Sequence, residues 1–370
     1  MAFLRLRGGH CAELQRSNMK GYIMVSTHTF RCWTLAVIAL SGTCLLTSCS
    51  DDSPSASAPT ATQAAAPATP DYVQPNASPS QLEKMAVSCQ TNNANLPCAE
   101  ANWTQYIKLR PTDTKAIANL GFVLNEEDKD QQAIDQFEKD ISMGEGTYDI
   151  FAYYADSLAK VGRTDEAIDW SYKTLKIVPS LVDVRGKLSK LLITKKRNYE
   201  ALALLAEFDQ YLDTKGQQPY FIGDRMAIES ALHNGMAKSD EAKGIRMEKL
   251  DGTFYAPVSV GESGTRAFVV DTGATDVLLN DDFLVASKAP YKIVRAHVLA
   301  RLADGREVDA KEVMIDHMLV GPIELDNVKA MSCGKCELLL GENALSKFNM
   351  NMTQVQGVDV ATLTPNTSLR

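Results

Sequence analysis

"AFVVDTGATDVLL", residues 267–279, sets a small polar knot, Asp271-Thr272-Gly273-Ala274-Thr275, between two apolar runs rich in β-branched residues. Runs of this kind, bounded by turn residues, read as strands. The aspartate therefore closes one strand, and the glycine lets the backbone turn before the next. Asp271 is then either a turn cap, with Thr272 and Gly273 as ordinary turn residues, or a carboxylate placed for chemistry. The surroundings decide between the two.

Downstream of "AKSDEAKG" the hydrophobic period is two. "FYAPVSV" (254–260), "TRAFVVD" (265–271), "DVLLN" (276–280), "KEVMIDHMLV" (311–320) and "IELDNVKAM" (323–331) read as short strands. "SVGESGT" holds a glycine-containing hairpin turn, and "ADGRE" an Asp-Gly turn. About 115 residues of short strands make a small barrel or sandwich.

"FVVDTGAT", followed by "LLLGENALSKF" (338–348), resembles the retropepsin-like aspartic proteases, the single-domain relatives of pepsin. That family pairs a strand ending in Asp-Thr/Ser-Gly with a late apolar-apolar-Gly and a short helix. Leu339-Leu340-Gly341 and "ENALSKF" match in order and spacing, over roughly residues 250–365. The resemblance implies that Asp271 is the catalytic carboxylate and faces its twin from a second copy across one water. Thr272 would bond across the twofold. Gly273 and Ala274 would complete the loop, and Leu340 and Gly341 would pack behind it. Asp304 and Gly305 fall where the family has its flap hairpin. The tip here, "ADGRE", has one glycine, whereas the family's tip is glycine-rich. Asp276, just after the loop, is a candidate for holding peptide backbone or a solvated strand residue.

Cys333-Gly334-Lys335-Cys336 does not fit a redox site, because a redox pair opens a helix and this one opens the strand "ELLLG". A zinc site needs further ligands, and the histidines are scattered with no His-Glu-x-x-His pattern. A local disulfide stiffening a loop is expected, with no metal and no cofactor.

Between residues 81 and 236 the pattern is helical. Ala99, Ala133, Ala167 and Ala201 are each 34 apart. Leu120, Tyr154 and Leu188 keep the same interval, and Pro111 and Pro179 lie two periods apart. These positions resemble tetratricopeptide repeats. The alanines suit helix crossings, Gly162 an inter-helix turn, and the prolines helix ends. "PYFIGDRMAIESALHNG" (219–235) reads as a capping helix. Cys89 and Cys98 are expected to clip the first helical hairpin. The solenoid offers no catalytic groups, so its concave surface implies a protein or peptide partner.

The N-terminus reads as an export signal, residues 1–48. Lys20 and Arg31 precede a charge-free run of 16 residues, "WTLAVIALSGTCLLTS". That is short of the about 20 needed to span a membrane and suits a signal-peptide core. Leu46-Thr47-Ser48-Cys49 resembles the lipobox of bacterial lipoproteins, implying lipidation of Cys49. The stretch before Met19 and Met24 is long for such a signal, so either methionine is a candidate start. Ser50 after the cysteine implies the outer membrane. Residues 49–80 hold six prolines and no Lys or Arg. Such a segment cannot bury a core and is expected to be a disordered tether, spanning roughly 30 Å as a coil.

The sequence thus predicts a multidomain chain. An all-α tetratricopeptide solenoid (81–236) is followed by a linker (237–249), an all-β retropepsin-like small barrel (250–365) and a tail (366–370). The net charge of −8, with no basic cluster to offset it, argues against nucleic-acid binding. The expected function is peptide-bond hydrolysis by a homodimer in the cell envelope. The alternative is a non-enzymatic envelope adaptor, whose β domain serves for docking or dimerisation.

Overall fold

The computed structural model describes residues 72–366, apart from 93, 145, 237–238, 242–243 and 303–304. The expected signal segment, Cys49, most of the expected tether, Asp304 and nearly all of the tail lie outside the described residues. Two compact units divide the chain after Asn119.

In the first unit, α1 (Pro79–Thr91) and α2 (Leu96–Leu109) form a hairpin, and α3 (Thr114–Glu126) begins. Ser78 caps α1 in a reciprocal box with Gln81. A disulfide joins Cys89 to Cys98, with a Cα–Cα distance of 5.8 Å. Residues 72–80, expected to end the tether, are part of this unit. The Tyr72 carbonyl accepts from Asn102 Nδ2 at 3.0 Å, and α1 already starts at Pro79.

The second unit takes the rest of α3. It continues through α4 (Asp130–Ser142), α5 (Tyr148–Lys160), α6 (Thr164–Ile177), α7 (Val182–Thr194), α8 (Asn198–Thr214) and α9 (Ile222–His233). The 34-residue register has a direct physical basis. Ala99, Ala133, Ala167 and Ala201 have no exposed surface, as small residues at helix crossings should. A Cβ on Gly121 would sit 2.6 Å from Phe137 Cε1, which shows how closely α3 approaches α4. The turns repeat too. Ala94, Asp128, Gly162 and Lys196, again 34 apart, all take positive φ. Just after three of them, the N–H groups of Lys129, Arg163 and Arg197 donate to Leu124, Leu158 and Leu192 carbonyls at 2.8–2.9 Å. Left-handed turns of this kind close helix ends.

The β domain begins earlier than expected. β1 (Ile245–Glu248) lies inside the segment read as a linker and pairs antiparallel with β10 (Val358–Pro365), which pairs with β9 (Phe348–Val355). Four residues are too few to show a period, so this strand is fixed by its distant partner. The main sheet holds β2 (Tyr255–Val260), β3 (Thr265–Val270), β4 (Val277–Asn280), β5 (Tyr291–Arg301), β6 (Glu307–Val320), β7 (Ile323–Cys333) and β8 (Leu339–Leu340). Its order is β2-β3-β8-β4-β7-β6-β5, and β2 also pairs with β6, so six strands close into a small barrel. Two short helices, α10 (Asp281–Ala286) and α11 (Glu342–Leu345), complete it. Phe268, Val277, Leu279, Val313, Ile315 and Leu340 fill the interior without exposure.

Solenoid and barrel share apolar packing. Leu250 and Val358 belong to the cluster of Ile168, Tyr172, Leu202 and Leu205. Polar groups line the same seam: Glu248 pairs with Arg246 at 2.5 Å, and Tyr172 donates to Glu200 at 2.8 Å.

Candidate active site

β3 carries the Asp271 loop out of the barrel core. Its last residues lie parallel to β8, with Val269 opposite Leu339 and Val270 opposite Leu340. The Asp271 N–H donates to the Leu340 carbonyl at 3.1 Å. Its side chain turns back over the loop, where Oδ1 accepts from the Gly273 N–H at 2.8 Å. Thr272 and Gly273 are exposed, while Asp271 and Ala274 are half-buried. The loop therefore presents its polar crest outward.

The loop is held from below by the segment around Gly341. Glu342 N–H donates to the Ala274 carbonyl at 2.8 Å, and Asn343 N–H to the Thr275 carbonyl at 3.0 Å. A Cβ on Gly341 would lie 2.3 Å from Asp276 O and 2.9 Å from Ala274 O. Only glycine lets the two backbones meet here. Leu340 is fully buried behind the loop. Residues 268–275 and 338–348 are thus brought into one layer.

Asn343, which no local pattern marks, ties three segments together. Its Oδ1 accepts from Val277 N–H at 3.1 Å, and its Nδ2 donates to the Lys329 carbonyl at 2.6 Å. The residue stood in plain sight in "LLLGENALSKF", but nothing local marks a side chain whose partners are 14 and 66 residues away. Asp276 is neither free for substrate nor solvated: it is mostly buried and pairs with Lys329 Nζ at 3.1 Å.

β5 and β6 form the hairpin expected to be the flap. Gly305 sits in its turn at φ +83°, and Leu302 N–H donates to the Arg306 carbonyl at 2.8 Å. Residues 291–297 of β5 are exposed on both faces. Cys333 and Cys336 form a disulfide, and these buried sulfurs pack against Ala300, Leu302, Val308 and Ala310 of the hairpin and Leu278 of β4. The loop that the disulfide closes is therefore a seat for the hairpin. Asn280 Nδ2 donates to the Gly334 carbonyl at 3.1 Å, tying that seat to the strand after the Asp271 loop. Among the described residues no cluster of His, Cys, Asp and Glu is suited to a metal ion.

Chemically, this loop offers one half-buried carboxylate on a hydrogen-bonded frame. A single group cannot act as base and acid in the same step, and the chain holds one Asp-Thr-Gly triplet.

No curated protein matches the chain. Among solved structures, YrrB, described as a TPR protein with an unusual peptide-binding site, is 21% identical over 34% of this chain and 64% of its own, with a TM-score of 0.32. The chain therefore spans less than two thirds of that protein's length. A retropepsin-like aspartic protease from Rickettsia conorii is 22% identical over 33% of this chain and 93% of its own, with a TM-score of 0.25. MamA protein is 14% identical over 43% of this chain and 82% of its own, with a TM-score of 0.37. The model of the family described as gag-polyprotein putative aspartyl protease matches residues 256–347, from β2 to just past α11, and so encloses both the Asp271 loop and the Gly341 segment that supports it.

Proposed function

We propose that the protein is a retropepsin-like aspartic peptidase that works as a homodimer on protein or peptide substrates in the bacterial envelope. One observation carries this reading. The Asp271-Thr272-Gly273 loop is braced by Leu340, Gly341 and Asn343 yet leaves its crest exposed, as a half-site needs. In the dimer, two Asp271 carboxylates share one proton, because two close carboxylates resist joint ionisation. One then takes a proton from water while the other donates to the scissile carbonyl. Thr272 bonds across the twofold, and the β5–β6 hairpin closes over the peptide. The helical repeats bind a protein partner or present the substrate. Lipidation at Cys49 anchors the chain to the outer membrane, facing the periplasm.

The test is cleavage of a denatured protein mixture by the full chain. Asp271→Asn should abolish cleavage and leave the melting temperature unchanged. Specific activity should fall on dilution as sedimentation shows monomer appearing. Activity should peak at acid to near-neutral pH and fall on both sides as the shared proton is gained or lost. Undiminished cleavage by Asp271→Asn, or full activity in a strictly monomeric preparation, rejects the dyad.

A second reading, an envelope adaptor with an inactive docking or dimerisation module, draws on the hairpin turn. Gly305 is the one glycine of "ADGRE", which leaves less freedom for a closing flap than a glycine-rich tip. It predicts dimerisation and partner capture without cleavage.

A further inference from the structure

β8 is two residues long, whereas β3, the strand it flanks, is six. Along the edge of β3 that faces β8, the N–H groups of Val269 and Asp271 donate to Leu338 and Leu340. Among the described residues, Thr265 and Ala267, on the same edge, have no strand beside them. Unpaired strand edges are unfavourable when buried, and both residues are buried.

Side chains of the last two solenoid helices take up these groups one by one. Gln210 of α8 bonds Ala267 reciprocally: its Oε1 accepts from the Ala267 N–H at 2.9 Å, and its Nε2 donates to the Ala267 carbonyl at 3.0 Å. This is the pattern a neighbouring strand would make. Glu229 of α9 accepts from the Thr265 N–H at 2.6 Å, and Arg225 Nη2 donates to the Thr265 carbonyl at 2.9 Å. Arg225 is itself aimed by buried Asp209, which pairs with it at 3.0 Å and also accepts the Tyr220 and Phe221 N–H groups at 2.8 Å. The four polar groups of the uncovered edge are thus all met by the helical repeats.

We propose that the solenoid completes the sheet edge of the strand that carries Asp271, and that Gln210 is a positioning residue for the Asp271 loop. The clamp lies four residues before Asp271 on a single strand, so the height of the loop is set jointly by β8 and by α8. The helical repeats are then a structural part of the active site, and a protein bound to them acts on a domain that is not separable from it. The catalytic consequence rests on the peptidase reading above; the mechanical one does not.

Two variants of the full chain test this. Gln210→Leu keeps the volume and removes both bonds. Gln210→Glu keeps the acceptor, but the carboxylate faces the Ala267 carbonyl. Protonation restores a donor there, so the Glu variant should be rescued by acid and the Leu variant should not. Amide hydrogen exchange is read at Ala267 and across residues 271–275, against the unaltered protein at the same pH. Gln210→Leu should speed exchange at both places at all pH values. Gln210→Glu should do so at about pH 7.5 and return toward the parent rate at about pH 4.5. In peptide cleavage the same variants should lower kcat by on the order of tenfold or more, since small misplacements of reacting groups are costly, with KM little changed. Unchanged exchange at Ala267 in a folded Gln210→Leu protein overturns the clamp. Faster exchange at Ala267 with an unchanged loop overturns the positioning role. If Gln210→Leu does not fold, acid rescue of exchange in Gln210→Glu decides. Absence of cleavage by the parent protein rejects the peptidase reading and leaves the exchange result to stand on its own.

Discussion

Gly341→Ala puts the smallest side chain where the frame has no space. The added Cβ would lie 2.3 Å from Asp276 O, 2.6 Å from Asp276 C and 2.9 Å from Ala274 O. All three are backbone atoms, so no side chain can swing aside. Ordinary contact begins near 3.4 Å, so the loop or the Gly341 segment would have to retreat by about 1 Å. That shift falls on residues 274–276, a few residues from the Asp271 carboxylate. A misplacement of about 1 Å costs catalysis on the order of 100-fold, and overpacking costs about 1–3 kcal/mol of stability. Peptide cleavage and a thermal melt read the two effects separately. Gly334→Ala is the control, because a Cβ there meets nothing within 4 Å, although it sits in the disulfide loop beside the hairpin. Expected is a loss of kcat and of melting temperature in the first variant and neither in the second. A Gly341→Ala protein with the parent's activity and melting temperature would refute the close approach as the reason for this glycine.

Ala167→Phe, or the same change at Ala133, should destabilise the solenoid by about 1–3 kcal/mol or more, seen in denaturant melts; both residues are without exposed surface. Burial pushes the Glu248 carboxyl from 4.5 up to about 7, helped by Glu200 and opposed by Arg246 and Arg197. The folded protein then holds this proton more tightly than the unfolded chain. The group's stabilising contribution is full below about pH 4.5 and is lost as the pH rises through about 7. Glu248→Gln, which imitates the protonated acid, should flatten the fall of melting temperature across that window, and an unaltered pH profile in the variant would count against the assignment. Cys49→Ser should release the protein from membranes or block its processing, and unchanged fractionation and mature mass would reject the lipid anchor.

Much of the architecture is written locally. A 34-residue register of alanines marks helix crossings because helix packing repeats with the chain, and the same interval fixes the left-handed turns at Asp128, Gly162 and Lys196. β2, β3, β4, β6 and β7 announce themselves by alternation or by an apolar run, whereas β10, which also buries one face, is not among the strands read from the sequence. β5 and β9 do not announce themselves, since most of their residues face solvent, and β1 is too short to show a period. The Asp271 loop and the Leu340-Gly341 element could be found separately in the sequence, and the resemblance joined them.

Long-range placement was decided by the tertiary structure alone. Nothing near Asn343 indicates that its amide will meet Val277 and Lys329, nothing near Asp276 indicates Lys329, and nothing in α8 indicates that Gln210 will stand in for a missing strand. Each of these is a polar group whose partner is set by the closing of the barrel and its docking on the helices. Sequence patterns report the period of burial along one element, which the backbone imposes on neighbours a few residues apart. Hydrogen bonds between elements depend on register and distance across the fold, and those exist only once the chain has packed.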